Sequence, residues 1–334
     1  MSKIFDRFKQ AKPWQAEFPP TATETDILYC FRLLLDRKPK EQEWSGHSWR
    51  VGEDIASVVG SYLNSQEFAK RHLLDRAVGN WKLVELPAFK IYATPDDSLI
   101  GKVIIDDHDY EPQVSQLFRE HLRPGMGVLD IGANIGYFSL LAASIVGPTC
   151  FVQSWEPSSD NVRALSASRA ANGFEHIEVI QAAATDRNTL LKYFRNALNG
   201  AVRGVEQTLP EDLLSAETVM GLRIDDFVRR DSNVGLLKID VEGYEFKAIL
   251  GAMETIKRCR PVVISEFSPA ALEDSCGATG REYLELFTQL GYDISCITDT
   301  GIEAATIDSV MSRYKATGKD HLDVMLRPGK NTIS

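Results

Sequence analysis

The sequence predicts an α/β protein, a mainly parallel sheet covered on both faces and preceded by a small all-helical domain. Three observations predict it. Apolar runs and amphipathic stretches alternate from residue 126 to residue 330. One run passes straight into a glycine-containing turn, Asp130-Ile131-Gly132-Ala133-Asn134-Ile135-Gly136, and then into a helical pattern. Before Trp81 only helical spacing occurs. Alternating strand and helix favours a parallel sheet with helices on both faces.

Pro13, Pro19 and Pro20 mark an irregular lead-in. Met1 to Gln10 places Ile4, Phe5 and Phe8 among charges, without the apolar block of a secretion signal. Asp26 to Asp36 reads as a helix with Ile27, Phe31, Leu34 and Leu35 on one stripe, and Glu53 to Leu63 as another. Ser65 is placed to cap a third helix carrying Phe68 and Leu73. The small domain therefore spans 1–80, with Trp44 and Trp49 expected in its core. It holds 12 basic and 11 acidic residues, so the net charge of −10 belongs to the large domain, 81–334.

In the large domain, Lys82 to Ala93 and Gly101 to Ile105 read as strands around a turn at Pro95-Asp96-Asp97, and Glu111 to Leu122 as a helix. Further strands are expected at 128–131, 151–155, 177–182, 190–194, 236–240, 262–266, 293–297 and 323–327. Residues 196–222, with Gly200 and Gly204, are expected to wall or cover a pocket.

The 44% hydrophobic and 25% charged content suits a globular chain with a sizeable core. The acidic balance argues against a general hold on nucleic acid or anionic membrane. Cys30, Cys150, Cys259, Cys276 and Cys296 are scattered and lack a C-x-x-C pair, so they read as reduced thiols of a cytoplasmic protein. No apolar stretch approaches the ~20 residues of a membrane span.

Ligands of an open α/β sheet bind outside the carboxyl ends of its strands. Four expected strands finish in acids there: Asp130, Glu156, Asp240 and Glu266. Glu156, one strand after the glycine turn, is placed to accept both hydroxyls of a ribose. The turn lacks the G-x-G-x-x-G of dinucleotide sites, and Asp130 before Gly132 suits a ligand bearing an ammonium group. Such a ligand is S-adenosylmethionine.

Asp130-Ile-Gly-Ala-Asn-Ile-Gly136, Glu156-Pro157 with Asn161, Lys238-Ile-Asp-Val-Glu-Gly243-x-Glu245, and Glu266 together resemble the FkbM family of S-adenosylmethionine-dependent methyltransferases, over about residues 109–327. The resemblance implies a seven-stranded class I (Rossmann-like) sheet and O-methylation of sugar or polyketide hydroxyls. It places the donor on Glu111, Asp130, Gly132, Ala133, Asn134, Gly136, Glu156, Asn161 and Ala183. Arg223 departs from a Thr-Leu-Asp-Asp segment of the family, and Ser168 stands where an asparagine is expected. Leu28-Tyr29, Leu35-Asp36-Arg37-x-Pro39 and Asn64-Ser65-Gln66-Glu67-Phe68 are similar to a short helical domain of unknown function that accompanies glycan-related modules.

An alcohol is a poor nucleophile until a base takes its proton or a divalent ion acidifies it. Asp240 is the first candidate base or metal ligand; Glu242 is next, with holding the donor or fixing the turn as an equal role, then His108, equally a solvated loop histidine, and Glu266; His321 reads as structural. No metal-ligand spacing such as H-x-x-x-H occurs, so no metal site is assigned. The expected partner is a small-molecule or glycan acceptor, and the oligomeric state is open. A peptide or amine acceptor, and a non-catalytic S-adenosylmethionine-binding scaffold, remain as alternatives.

Overall fold

The computed structural model describes residues 19–71, 80–195, 200–204 and 216–329. The expectations for Ile4, Phe5, Phe8, Pro13 and Leu73, and for much of 196–222, lie outside these residues. The chain divides into two compact units, Met1–Asn80 and Trp81–Ser334.

In the smaller unit, α1 (Glu24–Tyr29) continues as a π-helical stretch, Cys30–Leu34, followed by α2 (Glu41–His47), α3 (Ile55–Leu63) and α4 (Gln66–Arg71). Ile27, Phe31, Leu35, Val58, Tyr62 and Phe68 form its core. Ser65 Oγ accepts from the Phe68 N–H, as its capping position predicted. Arg37 joins the two ends of the unit's motif: its guanidinium donates to Glu43 and Glu67. Trp44 packs partly against this core. Trp49 does not. It is 69% exposed, its indole N–H donating to the Gly46 carbonyl, which corrects its expected core placement.

The larger unit begins with a hairpin, β1 (Lys82–Glu85) and β2 (Lys90–Ala93). Gly101–Asp107 is then a helix, α5, and not the expected strand. Val103, Ile104 and Ile105 mimic a strand in sequence, but only Ile104 of the three is fully buried, as one face of a short helix. After α6 (Pro112–His121) come β3 (Gly127–Ile131), α7 (Tyr137–Val146), β4 (Val152–Trp155), α8 (Ser159–Asn172) and β5 (Ile177–Ile180). The strands β6 (Ala183–Ala184), β7 (Thr189–Arg195), β8 (Gly200–Gly204) and β9 (Glu217–Leu222) form a separate sheet of order β6-β9-β7-β8. The chain continues through β10 (Val234–Ile239), α9 (Glu245–Gly251), α10 (Met253–Cys259), β11 (Val262–Phe267), α11 (Pro269–Cys276), α12 (Gly280–Gln289), β12 (Tyr292–Thr298), β13 (Gly301–Ala305), α13 (Ile307–Thr317) and β14 (Leu322–Pro328).

The main sheet has eight strands in the order β13-β12-β14-β11-β10-β3-β4-β5. The five from β5 to β11 are parallel, and β14 enters antiparallel between β11 and β12. This is a seven-strand sheet with β13 added as an edge hairpin. The expected strand 190–194 exists, but belongs to the separate sheet. Both faces of the main sheet are apolar. Val128, Leu236, Ile264 and Met325 pack on one side with α6 and α7. Leu129, Ile131, Leu237, Val263 and Val324 pack on the other with α9 to α12. Such strands read as near-continuous apolar runs rather than alternating ones. Strand order reverses between β3 and β10, the switch point where ligands of such sheets sit.

Candidate functional site

A cavity of about 470 Å³ opens at that switch point, within the roughly 300–1,000 Å³ of small-molecule sites. Gly132, Ala133, Asn134, Glu156, Asn161 and Ala183 line it on the side of β4. Glu111, Lys238, Asp240, Glu242, Glu266 and His321 line it too, from α6, β10, β11 and the approach to β14. Tyr193, Gly200 and Val202 contribute from the separate sheet, so part of the expected 196–222 segment does wall the pocket.

The turn after β3 is held by its own backbone. The N–H groups of Gly132 and Ala133 both donate to the Trp155 carbonyl at 2.9 Å. Gly132 has φ +83, and a Cβ there would meet the Asp240 carbonyl oxygen at 1.8 Å. Gly136 has φ +94 and presses on Leu165, whose Cδ1 would lie 2.2 Å from an added Cβ. These glycines are required by close approach within the protein.

Glu156 sits just past the end of β4. Its Oε2 accepts from the Asn134 N–H at 3.0 Å, and its Oε1 from the Ser158 N–H at 2.8 Å and Asn161 Nδ2 at 3.4 Å. Burial pushes its carboxyl up to about 7, against the pull of those three donors. A carboxylate has about four lone-pair sites, so acceptor capacity remains for a ligand.

Asp130 stands apart. It is buried and does not line the cavity; its Oδ2 accepts from Ser139 Oγ at 2.6 Å, and its Oδ1 has no hydrogen-bond partner. Burial raises its pKa, opposed by Lys238 and Ser139. Direct capture of a ligand ammonium by this side chain, as expected from the sequence, is not what its position offers.

Across the switch point, Lys238 Nζ lies 3.0 Å from Asp240 Oδ2 and 4.8 Å from the centre of the Phe138 ring. Burial would discharge this ammonium, but Asp240, Glu111 and Asp130 outweigh it and hold the lysine charged. Sequence reading assigned Lys238 no role. The available signal was its i, i+2 spacing from Asp240, which puts both on one face of β10. Glu111, at the start of α6, caps no N–H with its side chain; burial and neighbouring acids push it up to about 7, against Lys238. Glu266 is pushed up to about 10 by burial and by Asp240, Glu242 and Glu245.

Glu245 is structural: its Oε1 accepts from the N–H groups of Val241 and Gly243, fixing the loop that carries Glu242. Glu111, Asn134 and Glu242 all have positive φ, and all line the cavity. Non-glycine residues in this region cost of order 1–3 kcal/mol and cluster at functional sites.

The structure does not bring His108 to the cavity. It ends α5 with φ 55 and is exposed. His321, read as structural, lines the cavity instead, with Nδ1 3.9 Å from Glu266 Oε2 and 3.0 Å from Asp320 Oδ1. Arg223 is not in the lining and faces Asp225, Asp226 and Glu254. Ser168 Oγ accepts from the Tyr92 N–H, tying α8 to β2. Among the described residues, no cluster of three or more His, Cys, Asp or Glu has metal-binding geometry.

Residues 130–294 match the family described as the Methyltransferase FkbM domain. Solved structures to which the chain is similar include a methyltransferase FkbM from Methylobacillus flagellatus KT, 15% identical over 91% of this chain with a TM-score of 0.38. This chain spans 60% of that protein's length. A SAM-dependent O-methyltransferase from Thermotoga maritima is 9% identical, over 76% of this chain and 87% of its own, with a TM-score of 0.38. A SAM-dependent methyltransferase from Aquifex aeolicus is 13% identical, over 67% and 95%, with a TM-score of 0.36. No curated protein matches the chain in sequence.

Proposed function

We propose that this chain, which carries an FkbM methyltransferase domain at residues 130–294 on a class I Rossmann-like sheet, is an S-adenosylmethionine-dependent O-methyltransferase acting on a hydroxyl of a carbohydrate or secondary metabolite. The observation that carries the reading is that Glu156 and Asp240 line one cavity from either side of the switch point. Glu156 would take the ribose hydroxyls of the donor, with Asn134 and Asn161 orienting its carboxylate. The donor's sulfonium supplies an activated methyl group. The protein's task is to align acceptor oxygen, methyl carbon and sulfur and to keep water out. Asp240, tethered by Lys238, would remove the acceptor's proton as the new bond forms.

The five free cysteines support a reducing, cytoplasmic setting. No helix among the described residues is long and apolar enough to cross a membrane.

Calorimetry and a labelled-methyl assay test the reading. Glu156→Ala should weaken donor binding by about 1–3 kcal/mol, the cost of leaving polar groups unpaired. Asp240→Asn should keep donor affinity while turnover falls roughly 10²–10⁴-fold. Unchanged donor affinity in Glu156→Ala would remove the basis of the assignment.

A further inference from the structure

Several carboxyl groups and one ammonium meet beside Asp240. β10 and β11 run parallel with Ile239 opposite Ser265, so Asp240 and Glu266 follow as neighbours at the strand ends. Glu266 is paired in register with Asp323 on β14. The ammonium of Lys238 is committed to Asp240 Oδ2 and the Phe138 face. The charged and titratable groups acting on Glu266 or standing beside it are Lys238 and Asp240 from β10, Glu242 from the following loop, and Glu245 from α9. Asp323 faces it from β14, Asp320 and His321 precede that strand, and Tyr110 approaches from the start of α6. The His321 Nδ1 distance of 3.9 Å is too long for a hydrogen bond, and the imidazole is closer to Asp320. One ammonium cannot neutralise this many acids at such close range, so the carboxyls must divide into charged and uncharged members.

We propose that Glu266 is the uncharged member, a carboxylic acid that donates a hydrogen bond to an acceptor oxygen next to the hydroxyl served by Asp240. This rests on the O-methyltransferase reading and narrows its substrate class. The acceptor carries two neighbouring oxygens, as in a vicinal diol. Glu266 is surrounded by acids, and burial with Asp240, Glu242 and Glu245 pushes its carboxyl up to about 10. Environments that split two carboxyls apart assign one as base and the other as proton-bearing partner. In the transfer, Asp240 takes the hydroxyl proton and the oxygen–methyl bond forms. The sulfur–methyl bond breaks, its electron pair staying on sulfur as S-adenosylhomocysteine. Glu266 keeps its proton throughout.

One titration, one pair of affinities and one turnover comparison test this. In protein carrying 13C at the glutamate carboxyls, the resonance lost in Glu266→Gln should keep its protonated shift up to about pH 8. A resonance titrating at or below about pH 7 overturns the proposal. S-adenosylmethionine carries a positive sulfur and S-adenosylhomocysteine a neutral one, so the ratio of their Kd values reports nearby charge. Glu266→Gln should leave that ratio within about twofold, because no charge is removed, whereas Asp240→Asn should disfavour the cationic ligand. A shift of roughly tenfold in Glu266→Gln means that an ionised carboxylate was lost, and again overturns the proposal. With methyl hexopyranosides as acceptors, Glu266→Gln should keep KM and Glu266→Met should raise it; equal KM values remove the hydrogen bond. Wild-type protein that methylates none of these sugars overturns the carbohydrate reading, while the titration still decides the state of Glu266.

Discussion

Gly132 and Asp240 touch through backbone: a Cβ on the glycine would lie 1.8 Å from the aspartate's carbonyl oxygen. The turn after β3 and the end of β10 therefore fix one another. Their ladder continues past the last strand residues, with the Asp240 N–H donating to the Ile131 carbonyl at 3.0 Å. The resemblance puts Gly132 against the donor; in the fold, the space a side chain there would take is filled by protein. Gly132→Ala should thus lower the melting temperature as well as donor affinity, since φ +83 is also strained for alanine. A variant with an unchanged melting temperature and lost donor binding would return the glycine to the ligand.

The same contact shows where sequence reasoning stops. The strands at β3, β4, β10 and β11 were legible because both faces of the sheet are buried, giving unbroken apolar runs. Their carboxylates were legible because strand ends are where such sheets bind. His321 was not, because it reaches Glu266 only through the antiparallel return of β14, a pairing across more than fifty residues. Leu191 and Tyr193 alternate as a strand should, but nothing local says that β7 joins β8 and β9 rather than the main sheet. His108, just before the core, read equally as a candidate base or a solvated loop residue, and only the end of α5 reveals its exposure.

Those two histidines make a direct comparison. His108→Ala should leave kcat/KM within about twofold, as exposed positions away from a site usually do. His321→Ala, in the cavity wall, should change KM or kcat by a larger factor. Steady-state kinetics on both variants decides, and the reverse order would restore His108 as a candidate base.

Glu156 makes donor binding depend on pH. Its folded-state pKa, raised to about 7 by burial, lies above the ~4.3 of a freely solvated glutamate. The folded state then binds more protons than the unfolded one between those values, so this group's contribution to stability falls as pH rises through the window. Donor hydroxyls favour the ionised carboxylate, so binding should release a proton and tighten up to about pH 7. Glu156→Gln should flatten both trends. Calorimetry in buffers of different ionisation enthalpy measures the released proton directly, and zero release below pH 7 would count against the raised carboxyl.

Lys238 should matter to stability as well as to chemistry. Its side chain is 6% exposed and its ammonium is 3.0 Å from Asp240. Removing one partner of a buried ion pair costs roughly 3–5 kcal/mol; Asp240 retains some exposure, so Lys238→Met should fall at or below the lower end. Combining Lys238→Met with Asp240→Asn should recover part of the loss, because the second change removes the stranded carboxylate. Denaturant melts of the two single variants and the double variant give the coupling, and strict additivity would mean that the pair contributes nothing beyond its separate side chains.

The last expectation concerns the division of the chain. Among the described residues, those that line the cavity run from Leu99 to His321, all within Trp81–Ser334. The smaller unit has its own apolar core around Phe31 and Tyr62 and its own ion pairs at Arg37. A shortened chain beginning at Asn80 should therefore fold and bind S-adenosylmethionine with the affinity of the full chain, within about twofold, since the described lining residues are all kept. Turnover of the acceptor is the informative comparison. Equal kcat/KM in the two forms would mean that the helical unit takes no part in recognition. A raised KM at unchanged kcat would assign it to holding the acceptor, because only binding common to ground state and transition state would then be missing. Failure of the shortened chain to fold would show instead that the helices complete the larger unit.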